Sequence, residues 1–415
     1  MHNLSRTAIM IATVLAFTSI LSSCGSSSST PTTVPNSATI FYAHNLVFRN
    51  STTLSTGYNA FGQLGIGDHE LGNRSQPGPL NAFFPFTGVA QGGVHSVAFF
   101  NNSTVRTWGY NGFGQLGNGT TTYSGIPVPV KNANFNNFSG VTAVAAGGFH
   151  TLALRNNNTL WAWGKNDFGQ LGVGTALTSP LGYSMVPVQV STATVGPVFS
   201  NISSIAANGH HSLARANGLI YAWGLNSSGQ LGIDPATTGA MAAPQVVPIF
   251  TPQGDAVKVS AIAAGGGFNL VLDKDGHVWA WGANSNGQLG NGNITPSFKP
   301  VQVQTAPGVP LSNVVQIAAG IQHGLARLAD NTVWAWGYNF FNQLGNNQKS
   351  DSPFAVQVVL GLSTTPLKDA TDIRAFGSSS MAKVGKVWYV WGDNTYGQLG
   401  TGSVGIVLIP VISGF

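Results

Sequence analysis

Five histidines are the residues of this chain best suited to chemistry, and they recur at one position of a sequence repeat. They are His44, His95, His150, His211 and His323, with Asn269 and a residue near Ser380 in the two remaining repeats. Recurrence in separate repeats predicts a ring of residues, whereas metal ligands must converge on one point. The adjacent pair His210 and His211 would chelate poorly, because neighbouring residues of a strand point to opposite faces. A structural role is therefore predicted, with no metal site and no catalytic residue.

The other motifs give no cofactor site. Residues 112–117 satisfy the G-x-G-x-x-G pattern of dinucleotide-binding loops, but no helix is predicted to follow them, so no cofactor is expected. Asp273 and Asp275 flank a predicted hairpin turn, where aspartate is common. A carboxylate pair for hydrolysis could still be assembled by folding, which keeps an enzyme among the alternatives.

The composition favours partners other than nucleic acid. Charged residues make up 7% of the chain, and the net charge of +5 comes from few acids rather than from a basic run. The single cysteine, Cys24, excludes an intramolecular disulfide. Burial and backbone pairing alone must therefore hold the fold.

Residues 1–23 are predicted to be a lipoprotein signal peptide. Arg6 precedes an apolar run from Ala8 to Leu21 that is short for a membrane span. The run ends in Leu-Ser-Ser-Cys, which resembles the bacterial lipobox and implies acylation of Cys24 as the mature N-terminus. The alternative is ordinary secretion with an incidental cysteine. Gly25 after the cysteine resembles outer-membrane sorting, and residues 24–37 read as a Ser/Thr/Pro-rich tether.

A nine-residue stretch with the frame Gly-x-Asn-x-x-Gly-Gln-Leu-Gly recurs along the chain. Its repeats set where the candidate residues lie in the fold. Its seven copies begin at Gly57, Gly109, Gly164, Gly224, Gly282, Gly337 and Gly392, and Asn342 replaces the middle glycine of the sixth. The spacing of 52 to 60 residues is typical of four-stranded propeller blades. Glycine permits positive φ in these turns, and asparagine can hydrogen-bond within its own turn.

The segments around each copy predict an all-β, seven-bladed propeller over residues 38–415. A Pro-Val-x-Val strand is expected to open each blade, and the C-terminal Ile409–Ile412 is expected to complete the first blade and close the ring. A tryptophan before the first glycine is predicted to wedge between blades, as a structural repeat at Trp108, Trp163, Trp223, Trp281, Trp336 and Trp391. Ala-Ala-Gly runs suit a crowded strand near the axis.

The order Pro-Val-x-Val, Ile-Ala-Ala-Gly-x-x-His and Trp-Gly-x-Asn-x-x-Gly-Gln-Leu-Gly resembles the regulator-of-chromosome-condensation (RCC) repeat family. The resemblance runs from about residue 38 to residue 415. It implies a propeller fold and three kinds of relative. These are nuclear exchange factors for a Ran-type GTPase, secreted bacterial propellers that inhibit β-lactamases, and bacterial surface proteins. The export leader makes this chain similar to the bacterial lipoprotein type.

The variable position after the first glycine of each copy is the candidate binding face. It is occupied by Tyr58, Tyr110, Lys165, Leu225, Ala283, Tyr338 and Asp393. All seven are expected on one face, and tyrosine offers a large contact area with a polar tip. The aromatic residue before the middle glycine is expected to pack instead.

These observations predict a non-catalytic protein-interaction scaffold, displayed at the bacterial cell envelope by its lipid. The expected partner is a protein or a cell-wall component, membrane contact is expected through the N-terminal lipid only, and the chain is expected to be a monomer. Guanine-nucleotide exchange is one alternative, which the export leader disfavours. The other is a propeller lyase or glycosidase, which would need a cluster of acids and histidines at the axis.

Overall fold

Every nine-residue turn joins two neighbouring strands of one antiparallel sheet. The structure, a computed structural model, describes residues 43–49, 52–67, 71–80, 86–174, 182–191, 201–251, 253–361 and 364–415. Secondary structure within these ranges consists of β-strands and turns. The predicted signal peptide, Cys24 and the tether lie outside the described residues.

Apart from one two-stranded hairpin, the described strands form seven sheets, numbered as blades 1 to 7 along the chain. Blade 1 contains β1 (His44–Arg49), β2 (Thr52–Gly57) and β3 (Arg74–Pro79). Blade 2 contains β4 (Phe86–Gln91), β5 (His95–Phe100), β6 (Val105–Gly109) and β7 (Ser124–Pro129). Blade 3 contains β8 (Val141–Ala146), β9 (His150–Arg155), β10 (Leu160–Lys165) and β11 (Tyr183–Gln189). Blade 4 contains β12 (Ile202–Asn208), β13 (His211–Ala216), β14 (Leu219–Leu225) and β15 (Ala240–Val247).

The remaining blades repeat this order. Blade 5 contains β16 (Val259–Ala264), β17 (Phe268–Asp273), β18 (Val278–Gly282) and β19 (Ser297–Gln302). A small hairpin follows, made of β20 (Gln304–Ala306) and β21 (Val309–Pro310). Blade 6 contains β22 (Val314–Ala319), β23 (His323–Leu328), β24 (Val333–Gly337) and β25 (Ser352–Gln357). Blade 7 contains β26 (Ala370–Phe376), β27 (Ser379–Val384), β28 (Val387–Gly392) and β29 (Val407–Ile412). The predicted all-β, seven-bladed propeller of four-stranded antiparallel blades is confirmed; the described residues supply three strands of blade 1 and four of every other blade.

The Pro-Val-x-Val strand closes its blade rather than opening the next one, which corrects the sequence prediction. Ala162 pairs with Val188 in blade 3, so the strand containing Pro187 is the outer neighbour of the strand that precedes the turn. Proline has no N–H to donate to a neighbouring strand. An outermost strand can accept it because its N–H groups on the outer side pair with no further strand.

The C-terminal strand accordingly completes blade 7 and not blade 1. Val390 pairs with Val411 in the same register that Ala162 and Val188 adopt in blade 3. Blades 7 and 1 meet through packing and a backbone hydrogen bond instead: Val47 of blade 1 packs in one apolar cluster with Met381 and Trp388 of blade 7, and the N–H of Gly402 donates to the oxygen of Ser75 at 2.9 Å.

The six repeated tryptophans hold neighbouring blades together, as predicted. All six are fully buried, and each indole Nε1 donates a hydrogen bond to the backbone oxygen of the turn glutamine in the preceding blade, at 2.9 to 3.0 Å. Blade 1 has Thr56 at this position, and its hydroxyl donates to the oxygen of Gln398 at 2.9 Å. A smaller residue therefore makes the same contact where blades 7 and 1 meet.

The alanine-rich inner strands line the axis, as predicted. A cavity of about 220 Å³ lies between them, lined mainly by alanines of blades 2 to 7 such as Ala145, Ala207 and Ala319. Two polar residues also line it, and both are bonded: Gln91 donates to Asn45, and Asn208 donates to the oxygen of Ala264. None of these lining residues can titrate; the ion pair of Asp372 and Arg374, at 3.4 Å, lies on the same innermost strand of blade 7 but outside this lining.

Candidate functional site

The seven variable turn positions occupy equivalent places at one end of the propeller. In every blade the backbone N–H of this residue donates to the carbonyl of the residue just before the same strand, which is β1 in blade 1 and the second strand in blades 2 to 7, at 2.8 to 3.0 Å. This end also carries the connections between the first and second strands, so both sets of loops form one surface, here called the turn face. Six of the seven side chains are half-buried, whereas Asp393 is 3% exposed.

Asp393 is the member of this set least available to a partner. Its carboxylate accepts hydrogen bonds from the backbone N–H and the hydroxyl of Thr395. A short acceptor that binds the chain two residues later is ordinary turn chemistry. Asp393 therefore stabilises its own turn, while the tyrosines Tyr58, Tyr110 and Tyr338 keep part of their rings accessible.

A continuous row of rings crosses the turn face from blade 7 to blade 4 and is here called the aromatic arc. Its members are Tyr396, Tyr58, Phe61, Tyr110, Phe113, Phe149, His210 and Phe168, with successive ring centroids 5.0 to 6.4 Å apart. Most of these contacts are edge-on, the arrangement that aromatic pairs favour. The arc spans the junction of blades 7 and 1, because Tyr58 contacts Tyr396 at 5.0 Å.

Sequence reasoning missed two members of the arc, Phe149 and His210. Both lie just before the second strand of their blades, next to His150 and His211. Phe113 and Phe168 were expected to pack, and they do so against residues of the next blade: Phe113 against Phe149, and Phe168 against His210. The sequence feature that could have predicted them is the aromatic or imidazole ring that directly precedes the repeated histidine in blades 3 and 4.

Lys165 places a positive charge against the arc. Its Nζ lies 4.7 Å from the ring centroid of Phe113 and 5.7 Å from that of Phe149, and 2.9 Å from Oδ2 of Asp167. A cation over an aromatic face is attracted by the ring quadrupole. Burial lowers the pKa of the neighbouring His210 to about 4, and Lys165 contributes in the same direction. His210 is therefore neutral at pH 7.

The tyrosine hydroxyls of the turn face stay protonated at neutral pH. Burial raises the pKa of Tyr58, with a further contribution from Tyr396. Burial also raises the pKa of Tyr110, and burial followed by the charge of Asp351 raises that of Tyr338. These hydroxyls can donate hydrogen bonds to a partner.

The repeated histidines lie between blades, and their chemistry is structural. Nε2 of each histidine lies 2.7 to 2.9 Å from a polar side chain of the next blade, in the pairs His44–Ser96, His95–Thr151, His150–Ser212, His211–Asn269 and His323–Ser380. The partner side chain in turn donates to the turn glutamine oxygen of the preceding blade. A hydroxyl that already donates must accept from the histidine, so Nε2 carries the proton.

Asn269 and Ser380 are the partners of these histidines, which corrects their placement at the histidine position. The residues that pair with the strand-ending glycine, as His95 pairs with Gly109, are Phe268 in blade 5 and Ser379 in blade 7. Where Phe268 replaces histidine, the position facing it in blade 6 is Gly324 rather than a hydroxyl residue. Both members of the polar pair, the histidine and its hydrogen-bond partner, are therefore replaced together between blades 5 and 6.

Burial lowers the pKa of every histidine in this set. It falls to about 3 for His44, His95 and His323, to about 4 for His211, and well below its ordinary value for His150. Among the described residues, no group of three or more His, Cys, Asp or Glu side chains could hold a metal ion. The same residues contain no helix long and apolar enough to cross a membrane.

Comparison with known proteins identifies the repeat. A model of the regulator of chromosome condensation (RCC1) repeat matches residues 104–154, 157–215, 217–272 and 275–327. The mitochondrial RCC1 domain-containing protein RUG3 of Arabidopsis thaliana is 30% identical over 376 residues, which cover 83% of this chain and 78% of that protein. The ultraviolet-B receptor UVR8 of the same plant is 29% identical over 354 residues, covering 84% and 74% respectively.

A solved structure shares the fold. Yeast RCC1 (Prp20), crystallised with Kap60 bound, superposes with a TM-score of 0.71 at 20% sequence identity, covering 94% of this chain and 90% of that one. The repeat model matches more than half of the chain in four consecutive units. The protein therefore belongs to the regulator of chromosome condensation (RCC1) repeat family.

Proposed function

We propose that this protein is a non-catalytic scaffold that binds a partner protein through its turn face, while a lipid on Cys24 displays it at the bacterial cell envelope. The observation that carries the binding proposal is the aromatic arc, which joins rings of five blades into one partly exposed surface. Large rigid side chains that lose little entropy on binding are the residues that dominate protein interfaces.

The rest of the molecule is suited to holding that surface rigid. Buried tryptophans and histidine pairs link successive blades, so the turn positions keep their spacing without a partner. A preorganised surface binds with less entropic cost than a mobile one. The propeller fold of this family, which yeast RCC1 (Prp20) shares, is a protein-interaction scaffold, and that structure holds a bound protein, Kap60.

The turn face can be tested by replacing Tyr58, Tyr110 and Tyr338 together with alanine. Removing three partly buried tyrosines from an interface predicts a loss of partner affinity of about tenfold or more, since truncating one hot-spot residue typically costs more than about 1 kcal/mol. Cross-linking in intact cells, followed by purification of the tagged protein, would measure capture. The matched control is Phe250→Ala, an aromatic residue that is 55% exposed on the connection at the opposite end of blade 4.

The two variants separate the possible outcomes. Equal capture by the triple variant and the wild type would contradict a binding role for the turn face. Loss of folding in the triple variant, seen as a lower melting temperature, would instead assign these tyrosines to packing.

The envelope location rests on the sequence of the leader. The apolar run, the lipobox-like Leu21–Cys24 and the polar tether together support an exported lipoprotein anchored at the outer membrane or cell surface. Cys24→Ser should move the protein from the membrane fraction to the soluble fraction after cell lysis, because the acylated residue is gone. Unchanged membrane retention would refute the lipid anchor and leave the turn-face proposal standing.

A further inference from the structure

The turn of blade 6 departs from the other six at a position that faces solvent. The fourth residue of the turn is small or polar in the other blades: Ala60, Gly112, Asp167, Ser227, Ser285 and Thr395. Blade 6 has Phe340 there, and its side chain is 64% exposed. An exposed phenylalanine at a position that accepts serine is not required by the turn.

Phe340 is part of a compact group of three rings. Its ring is nearly parallel to that of Tyr338, at an angle of 10° with centroids 6.4 Å apart. Phe341 meets Phe340 edge-on at 5.1 Å and Tyr338 edge-on at 6.3 Å. The exposed ring therefore packs against two other rings of its own turn.

A carboxylate lies beside these rings and is held in place by two hydrogen bonds. Oδ1 of Asp351 accepts the backbone N–H of Asn339 at 2.8 Å, and Oδ2 accepts Nδ2 of Asn286 in blade 5 at 2.7 Å. Each carboxylate oxygen can accept a second donor. Asp351 is exposed, and no Lys or Arg of the described residues forms an ion pair with it.

Blade 3 shows, on the same face, what such a group can bind. There Lys165 lies over Phe113 and Phe149 and pairs with Asp167 at 2.9 Å. Blade 6 builds its group from other positions: Tyr338 and Phe340 stand where blade 3 has Lys165 and Asp167, and Asn286 and Gln322 stand where Phe113 and Phe149 lie. Blade 3 thus shows that a cation can lie against rings and a carboxylate on this face, whereas no described Lys or Arg pairs with the carboxylate beside the rings of blade 6.

From this arrangement we infer that Tyr338, Phe340, Phe341 and Asp351 form a binding site for an arginine side chain of a partner protein. The inference rests on the proposed turn-face function and names the chemistry of the partner. A guanidinium is planar, stacks on aromatic rings and can donate two parallel hydrogen bonds to a carboxylate, which a lysine ammonium cannot. The site is open rather than concave, so it suits a side chain presented by a protein and not a free small molecule.

The experiment compares a fluorescent peptide of alternating glycine and arginine with its citrulline and lysine counterparts, binding to the purified full chain. Citrulline keeps the planar group but removes its charge. The arginine peptide should bind at least about threefold more tightly than the citrulline peptide, the effect of one exposed cation–π contact. It should also bind more tightly than the lysine peptide, because only a guanidinium can donate two parallel hydrogen bonds to the carboxylate. Non-specific attraction works against this result, because the protein itself carries a net charge of +5.

Two variants copied from other blades of this chain test the residues. Phe340→Ser restores the residue of blades 4 and 5, and Asp351→Asn copies Asn73, whose Oδ1 accepts the turn N–H of Asn59 in blade 1. Each should abolish the preference for arginine while the protein remains folded, whereas Phe250→Ala should preserve the preference.

Each outcome has a defined meaning. Equal binding of the arginine and citrulline peptides, or an arginine preference that survives both variants, would overturn the site. Equal binding of the lysine peptide would overturn its assignment to arginine. If Phe340→Ser leaves partner capture in cells unchanged while the triple tyrosine variant abolishes it, the turn face binds its partner elsewhere and only this inference fails.

Discussion

The buried histidines make the stability of this propeller depend on pH. In the unfolded chain a histidine has a pKa near 6.5, whereas burial lowers the folded pKa of His44, His95 and His323 to about 3. Between these values the unfolded chain binds protons that the folded chain does not. Stability is therefore complete above about pH 6.5 and falls as the pH is lowered towards about 3.

The size of the effect follows from the shifts. At pH 5 each such histidine costs about 2 kcal/mol relative to pH 8, because one pKa unit corresponds to about 1.4 kcal/mol. Five interblade histidines give at most about 10 kcal/mol, comparable with the whole stability of a typical domain. The protein is expected to unfold in mild acid.

The chain itself supplies the variant that tests this reasoning. Between blades 5 and 6, Phe268 and Gly324 replace a histidine and its hydroxyl partner. Phe268 and His323 both lie over a glycine, Gly265 and Gly320 respectively, so the two side chains occupy equivalent slots. The double variant His323→Phe with Ser380→Gly should reduce the loss of unfolding free energy between pH 8 and pH 5 by about 2 kcal/mol.

Urea unfolding followed by circular dichroism at several pH values measures that loss. Ser380→Gly alone is the control: it removes the hydrogen-bond partner of His323 and should lower stability by about 1–2 kcal/mol at every pH. Because the histidine remains, the slope with pH should not change. A stability that stays constant from pH 8 to pH 5, or a double variant with the wild-type slope, would refute burial of neutral histidines.

Three further variants probe the contacts between blades. Trp281→Ala should lower the free energy of unfolding by about 3–5 kcal/mol in urea titrations, since it empties a fully buried site between blades 4 and 5; a loss under 1 kcal/mol would contradict the wedge. Thr56→Val should cost about 1–3 kcal/mol by thermal unfolding, because the oxygen of Gln398 loses its donor where blades 7 and 1 meet, and an unchanged melting temperature would count against that contact. Gly114→Ala should lower the melting temperature, because φ is +72° and an added Cβ would lie 2.7 Å from Cα of Met185. Gly119→Ala is the control. Its φ is also positive, but the atoms nearest to the added Cβ belong to the ring of Phe135, so the melting temperature should fall less.

Much of the fold could be predicted from the sequence because each feature repeats. The glycines of the turn adopt positive φ, the asparagine accepts the N–H of the turn leucine in all seven copies, and the tryptophans wedge between blades.

The candidate site was predicted in part: the ring of turn positions is present on one face, but Phe149 and His210 of the arc were missed. They lie in a different loop of each blade, and only the antiparallel order brings that loop to the turn face.

The sequence by itself determined the number of blades, the positions of their turns and the residues that join them, because local turn geometry and repeated burial depend on residue type. It did not determine which blade each outer strand joins, since an apolar strand between two turns can pair with either neighbour. The tertiary structure decided that, placing Val411 against Val390 in blade 7. It also decided which side chains meet across blades, as Lys165 meets Phe149, because such contacts depend on the packing of the ring and not on spacing along the chain.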